Sequence, residues 1–335
     1  MGIYSIYVRN EVYWILNSSD PTHVELPAGT AFDGWTIFSP LMLPANVIGR
    51  GVSFSPLTEG RFFVSTDRID FRTTTTDQDA ALRIAEQILR WLRFSTGQAR
   101  LGTNIVSHQL QSDDAQVELL SIDNESAPLA RPLRHVEFSG ITFELLTEAL
   151  RQNPNLAVPL YSEVLLDAIE ASFVSDPRKA ILYSAIAVEV MASTRIQEAF
   201  DQALAGTPDS LRLIELEQSG GRRIRKDPIF DELQKTSQRN FKFLLHELPL
   251  YVERHSVMLE DASLYRELLL LHTTRNDLVH RATLEEGDRL PLDHNGMHRA
   301  LDAVVAAFRW FGAAGRYVTM RNELDGGWTA KRRAG

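Results

Sequence analysis

The 335-residue chain contains no cysteine. Disulfides, thiolate-held metals and a cysteine nucleophile are therefore excluded, and the absence fits a reducing, intracellular setting. No run of apolar residues approaches the roughly 18 that a membrane-spanning helix needs. The amino-terminal stretch also lacks the basic and apolar blocks of a signal peptide. Together these absences predict a cytoplasmic protein without a membrane partner.

A net positive charge is also absent, because the chain has 35 basic and 44 acidic residues and a formal net charge of −9. This excludes a protein that coats nucleic acid through general basicity. One stretch departs from the average: residues 220–242 hold seven basic and three acidic residues. It begins as a Gly-rich sequence that is typical of a loop, and we interpret it either as a phosphate-contact patch or as a solvated loop. The candidate contact residues are Arg222, Arg223, Arg225 and Lys226.

The first 145 residues are predicted to form an α+β domain. Short apolar runs flank Arg9-Asn10 and again flank Asp67, which predicts two β-hairpins turning at those points. A helix is predicted from Asp77 to about Phe94, with apolar residues recurring on one stripe. The Pro- and Gly-rich stretches read as loops, and no Gly-rich nucleotide-binding motif is present. The sequence gives no indication of what this domain binds; sensing and target selection are both open.

Helical spacing of apolar residues replaces the strand-like pattern from about residue 142. A short helix is followed by five longer helical segments with short polar joints, which is the organisation of a helical bundle. One segment opens with Asp176 as a predicted N-cap and Pro177 at the first helical position. We therefore predict an α+β domain over residues 1–145, an all-α bundle over 155–320 and a basic tail over 321–335.

Two helices of the predicted bundle each carry an ionisable residue on an apolar stripe. In the segment LLLLHTTRNDLVHRA, Arg275 interrupts a stripe of leucines, while Asn276 and His280 lie four residues apart on a neighbouring face. Glu189 interrupts the apolar stripe of the segment that starts at Asp176. Because a buried charge is costly without a partner, the two opposite charges could pair with each other in the core.

The spacing from Arg275 to His280 is weak information by itself. A chain with 30 Arg and 9 His contains about 0.8 such spacings by chance. A second one runs from Arg289 to His294, where Pro291 interrupts any helix, and we interpret it as a chance match. His294 and His298 lie four apart, but no third strong ligand is evident, so neither a metal nor a cofactor is predicted. Asp293 is predicted to act as a helix N-cap instead.

The motif RNDLVH resembles the Arg-polar-x-x-x-His motif of HEPN domains, particularly the Apea-like branch of these helical-bundle ribonucleases. The resemblance covers residues 155 to 318 and includes the order of the helices and the alanine-rich run around Glu189. It does not reach the first 140 residues. It implies a HEPN-type bundle and a homodimer through the 261–284 helix, in which two motifs face each other. A dimer also answers a geometric difficulty, because positions i and i+5 lie about 140° apart on one helix.

The activity that the resemblance implies is metal-independent cleavage of RNA. The ribose 2′-OH attacks the adjacent phosphorus and leaves a 2′,3′-cyclic phosphate and a 5′-OH. His280 would transfer the proton, Arg275 would hold the phosphate, Asn276 would orient His280 or bind a phosphate oxygen, and Glu189 would position Arg275. The four basic residues at 222–226 would contact the RNA. The family further implies phage defence by abortive infection, or a toxin held by a regulatory or antitoxin protein.

Two other interpretations stay open at this point. In one, the bundle is a non-catalytic HEPN module that dimerises or binds a nucleotide or RNA without cutting it. In the other, the resemblance is accidental, and Arg275 and Glu189 form an ion pair buried within one chain. Contact between the 268–282 helices of two chains favours the dimeric ribonuclease. Complete burial of Arg275 within one chain favours the core ion pair with Glu189.

Overall fold

The computed structural model divides the chain into two compact units, Met1–Pro159 and Leu160–Ala314. The first contains an antiparallel sheet and the second is helical, as the change of apolar period predicts. No described helix is long and apolar enough to cross a membrane. The structure describes the following residues: 2–17, 19–44, 52–56, 61–101, 105–111, 117–119, 141–204, 214–217, 223–226, 241–247, 249–250, 255–280 and 289–313.

The sheet of the first unit is built around two long strands, β1 (Gly2–Asn17) and β6 (Arg61–Thr73). Both were predicted to be hairpins, and both predictions are wrong. The two expected turns lie opposite each other, where Tyr7 pairs with Arg68 and Val12 already pairs with Thr66. Four residues of β1 therefore face a single residue of β6, which is a bulge rather than a pair of turns. Pairing between the two strands satisfies the backbone groups on both sides of this irregularity.

Shorter strands complete this sheet. They are β2 (His23–Glu25), β3 (Thr36–Phe38), β5 (Val52–Pro56) and β7 (Ile105–Gln111). Their order is β2-β3-β6-β1-β7, with β5 also paired to β6, and all of these pairs are antiparallel. A separate pair joins β4 (Met42–Pro44) to β8 (Val117–Leu119). Three of these strands lie in or beside the Pro- and Gly-rich stretches that were predicted to be loops. The pattern of RHVEFSG also predicts a strand at 134–140, which lies outside the described residues.

One long helix, α1 (Gln78–Thr96), packs its apolar stripe into the core of the sheet unit. Its start agrees with the predicted start at Asp77, which is the N-cap: the carboxylate of Asp77 accepts from the backbone N–H of Asp79 and of Ala80. Its end is a glycine, Gly97, in the left-handed conformation with φ of 71°. The helix stripe contributes Ala81, Ala85, Ile88, Leu89, Trp91 and Leu92 to the core.

The boundary between the units lies later in the chain than the predicted end of the first domain at 145. Ile141 exchanges two backbone hydrogen bonds with β1, at Tyr13 and Ile15. The helix that follows, α2 (Phe143–Gln152), buries Phe143, Leu146 and Leu150 in the same core as the sheet. The predicted domains, 1–145 and 155–320, left most of α2 unassigned, and in the structure its apolar face is covered by the core of the sheet unit.

The described residues of the second unit include four long helices: α3 (Leu160–Phe173), α4 (Pro177–Leu204), α7 (Ala262–His280) and α8 (His294–Trp310). Two short ones, α5 (Phe241–Leu245) and α6 (Val257–Glu260), lie between α4 and α7. Of the third predicted segment, which begins near residue 228, the structure describes α5 and a few residues after it.

Both predicted N-caps in this unit are present. Asp176 accepts from the backbone N–H of Lys179 at 3.1 Å, and Asp293 accepts from that of Gly296 at 2.9 Å. Gly296 also allows a close approach, because a Cβ at this position would lie 1.8 Å from the carbonyl oxygen of Pro291. The start of α8 is therefore determined by local sequence.

Candidate functional site

The buried side of α7 differs from the predicted stripe in the second half of the helix. Three leucines are buried as expected, but the stripe continues through Thr274 and Asp277, while Arg275 and Leu278 are only half-buried. The Thr274 hydroxyl donates to the carbonyl of Leu270 at 2.7 Å and accepts from the backbone N–H of Leu290 at 2.9 Å. Threonine can thus satisfy its hydroxyl inside the bundle, whereas the charged guanidinium lies beside the stripe. The buried leucines are Leu264, Leu268 and Leu271.

Arg275 contacts two of the residues that the sequence analysis grouped with it. Its Nη1 donates to Oδ1 of Asn276 at 2.8 Å, and its Nη2 lies 3.8 Å from Oε2 of Glu189. Glu189 does not lie on the buried stripe of α4 but on the side that meets α7. Arg275 and Glu189 are each 26% exposed. Their ion pair therefore lies at the edge of the helix interface, where the guanidinium still reaches solvent.

A fourth residue, His272, completes this group, although its role was not predicted from the sequence. Its Nδ1 lies 2.8 Å from Oε1 of Glu189, and its Nε2 lies 3.1 Å from Nδ2 of Asn276. The ring stacks on Phe241 of α5, with centroids 4.4 Å apart and planes 9° from parallel. The sequence spacing could have identified His272, because it precedes Arg275 by three residues and Asn276 by four. This spacing places all three on one helical face.

His280, the second half of the predicted motif, is the last residue of α7 and is exposed. The described part of the chain offers it neither a hydrogen bond nor an ion pair. It lies five positions after Arg275, which corresponds to a rise of about 7.5 Å and a rotation of about 140° along an α-helix. Its neighbour Val279 is also exposed, at 51%. The structure therefore brings Glu189, Asn276 and Arg275 together and leaves His280 apart from them.

The second Arg-to-His spacing runs from Arg289 to His294, and the two residues have different neighbours in the structure. Arg289 forms a close ion pair with Asp277, which is buried on the opposite side of α7 from the site. His294 is the first residue of α8, and its ring lies 6.4 Å from that of His298. Within the described ranges no group of three or more His, Cys, Asp or Glu side chains is arranged to hold a metal ion. Among the described residues, Arg289 therefore has Asp277 as its ion-pair partner.

The basic stretch at 222–226 is largely a strand and not the predicted loop. Strand β10 (Arg223–Lys226) pairs antiparallel with β9 (Ile214–Glu217), while Arg222 lies outside the described residues. The register places Arg223 opposite Glu217 and Arg225 opposite Glu215.

No family model matches the chain, and neither a curated protein nor a solved structure matches it. A guanidinium with unsatisfied N–H groups can bind a phosphate. α7 thus carries a guanidinium and, about one and a half helical turns farther along, an exposed imidazole.

Proposed function

We propose that this protein is a metal-independent endoribonuclease of the HEPN type that acts as a homodimer. One observation carries the proposal: Arg275 is held half-buried by Asn276 and Glu189, while His280 is exposed farther along the same helix. A guanidinium fixed in place costs less conformational entropy when it binds a phosphate. An exposed histidine is free to approach a ribose hydroxyl.

The proposed reaction is an internal transfer at phosphorus. The 2′-OH loses its proton to His280, and its oxygen attacks the adjacent phosphorus as the bond to the 5′-oxygen breaks. The leaving 5′-oxygen takes up a proton from the His280 of the second copy, so protons balance over the step. Arg275 stabilises the negative charge that grows on the non-bridging oxygens. The products are a 2′,3′-cyclic phosphate and a 5′-OH.

The end of α7 supports the dimer. Val279 is 51% exposed beside His280, and a large apolar side chain there suits a surface that a second copy covers. A two-fold axis near this end would bring two histidines and two arginines around one phosphate, which a single helix does not do. Cleavage of cellular RNA would arrest growth, so the proposed activity fits abortive infection or a toxin held by a partner protein.

The decisive experiment measures cleavage of total RNA, with EDTA present, by the wild type, Arg275→Ala and His280→Ala. We expect each substitution to reduce the rate by at least about 100-fold. The chain provides matched controls: Arg266→Ala removes an exposed arginine of α7 whose Nε contacts its own helix, and His294→Ala removes an exposed histidine. Both controls should cleave at the wild-type rate.

The chemistry of the cut is checked separately on a short RNA. The fragments should accept phosphate from polynucleotide kinase without prior phosphatase treatment, and a 2′-deoxy substitution at the cut should abolish cleavage. Equal cleavage by the wild type and by both α7 variants would refute the site. Loss of cleavage with EDTA would refute the metal-independent mechanism.

The dimer is tested by Val279→Asp, with Val174→Asp as its control. Val174 is 60% exposed in the turn after α3, so its substitution introduces the same charge at a similar exposure. We expect Val279→Asp to weaken self-association at least tenfold in sedimentation velocity and to reduce cleavage in parallel. If the wild type sediments as a monomer at micromolar concentration, or if both variants behave alike, the proposed interface is wrong.

A second candidate function is a non-catalytic RNA-binding module. It is favoured by the difference between the two motif residues: Arg275 is held by two side chains, whereas none of the described residues orients His280. This alternative predicts binding without cleavage. Binding of a labelled RNA would then fall in Arg275→Ala and stay unchanged in His280→Ala, and no conditions would produce fragments.

A further inference from the structure

Four side chains at the α4–α7 interface form a closed chain of polar contacts. Arg275 Nη1 contacts Asn276 Oδ1 at 2.8 Å, Asn276 Nδ2 contacts His272 Nε2 at 3.1 Å, and His272 Nδ1 contacts Glu189 Oε1 at 2.8 Å. The other carboxylate oxygen, Glu189 Oε2, lies 3.8 Å from Arg275 Nη2 and closes the chain. Three of the four residues come from one helix, and Glu189 comes from α4, 83 positions before His272.

The two charged members determine the direction of every hydrogen bond in this chain. A guanidinium only donates, so the atom of Asn276 that faces Arg275 must be its oxygen. The amide nitrogen of Asn276 then faces His272 and donates, which requires Nε2 to accept. At the other end an ionised Glu189 only accepts, so Nδ1 of His272 must carry the proton. Both ends therefore require the same state of His272, the neutral ring protonated at Nδ1.

Packing holds the ring of His272 in the plane that these contacts need. Phe241 is 6% exposed and stacks on it at a centroid distance of 4.4 Å. Both ring nitrogens are occupied, by Glu189 on one side and Asn276 on the other. His272 is therefore placed to hold other groups, whereas His280 is exposed and placed to exchange a proton.

We propose that His272 is a positioning residue for Arg275. As the neutral Nδ1–H tautomer it holds Glu189 and Asn276 at the distances from which they orient the guanidinium towards a phosphate. The positioning of Arg275 stands on the geometry alone; its consequence for RNA cleavage rests on the proposed function. The two histidines of α7 thus have different roles: His272 holds the anion-binding group, and His280 transfers protons.

The tautomer is tested by NMR on the full-length protein labelled with ¹⁵N-histidine at pH 7.5, with His272→Phe used to assign the signal. We expect the two-bond coupling pattern of a neutral ring protonated at Nδ1. In histidines generally, the hydrogen bond made by one ring nitrogen determines whether the other nitrogen carries the proton. A ring protonated at Nε2, or at both nitrogens, would overturn the proposal, because Nε2–H would face the amide donor of Asn276.

The positioning effect is tested by hydrogen exchange at the guanidinium. Arg275 Nε is buried and has no acceptor among the described residues, so its proton should exchange at least tenfold more slowly than that of exposed Arg266 in ¹⁵N-arginine-labelled protein. His272→Phe keeps a flat ring against Phe241 but removes both hydrogen bonds. It should bring the Arg275 rate to that of Arg266, and unchanged protection would overturn the proposal.

The effect of His272 on catalysis is tested by cleavage kinetics. His272→Phe should lower kcat by about 10- to 100-fold, as misplacement of a catalytic group does. His272→Asn places an amide donor near the position of Nδ1, so it should keep the contact with Glu189 and recover at least tenfold over the Phe variant. Equal rates for the wild type and the Phe variant would refute positioning. If the wild type does not cleave at all, the proposed function fails, and the two NMR measurements still decide whether His272 holds Arg275.

Discussion

The two units each contain a cluster of charged and polar side chains, and the clusters differ in their access to solvent. In the sheet unit Arg68 Nη2 lies 2.8 Å from Asp70 Oδ2, Ser5 donates to the other oxygen at 2.6 Å, and both charged side chains are 4% exposed. In the helical unit Glu189, His272 and Arg275 are each 26% exposed. The first cluster is closed to solvent, so a ligand cannot reach it. The second retains access to solvent, which a ligand-binding group requires.

The largest effect that this comparison predicts is on the sheet unit. Arg68→Ala leaves Asp70 buried without its countercharge, and removing one partner of a buried ion pair costs about 3–5 kcal/mol. Urea unfolding followed by circular dichroism should show a loss of this size. Replacing both residues, as Arg68→Met with Asp70→Leu, should cost much less. If the single and double variants lose the same amount, the cluster is not an isolated ion pair.

The Arg68→Ala variant should also acquire a characteristic pH dependence. Burial raises the pKa of Asp70, and the charge of Arg68 works against that rise. Without Arg68 the folded chain holds the Asp70 proton to a still higher pH than the unfolded chain does. Relative to the wild type, the free energy of unfolding of the variant should therefore be highest below about pH 4. It should fall as the pH rises above that value. A flat difference between the two proteins from pH 3 to pH 7 would contradict this.

A smaller effect is expected on the buried side of α7, at Thr274. Thr274→Val keeps the shape of the side chain but leaves the buried N–H of Leu290 without its acceptor. Such a loss costs about 1–3 kcal/mol. Chemical unfolding of the helical unit should report it, while cleavage by the folded variant should remain near the wild-type rate. A large loss of cleavage without a loss of stability would mean that Thr274 belongs to the site.

The open side of the same helix should contribute less to stability. Glu189→Ala removes an ion pair and a histidine contact that are both partly exposed, so we expect a change of about 1 kcal/mol or less in the free energy of unfolding. Its effect should instead appear at Arg275, through faster exchange of the Nε proton. A destabilisation as large as that of Arg68→Ala would remove the distinction between the two clusters.

The smallest effect at neutral pH is expected at Tyr4, whose side chain is fully buried beneath α1. Burial, followed by the charges of Glu86 and Asp79, raises its pKa to about 12. The folded state therefore keeps this phenol protonated above pH 10, where the unfolded chain begins to lose the proton. Stability should fall as the pH rises from about 10 to 12, and Tyr4→Phe should reduce that fall. Identical curves for the two proteins would contradict the raised pKa.

Part of the site could be predicted from sequence because it lies on one helix. Arg275, Asn276 and His280 belong to one short motif, and the spacing of Glu189 within α4 marked it as a partner. The same local reasoning could have found His272, which shares a helical face with Arg275 and Asn276. It could not show that His272 contacts Glu189, since the two lie 83 positions apart and meet only through helix packing.

The sequence by itself determined the starts of three helices, at Asp77, Asp176 and Asp293, because each cap bonds to an N–H only two or three residues ahead. It also determined that a strand-rich region precedes a helical one. Tertiary structure alone decided that β1 and β6 continue through their expected turns, that α2 joins the sheet, and that Arg275 lies beside the buried stripe. These outcomes depend on which distant surface covers each apolar face and pairs each strand, and local spacing carries no information about that choice.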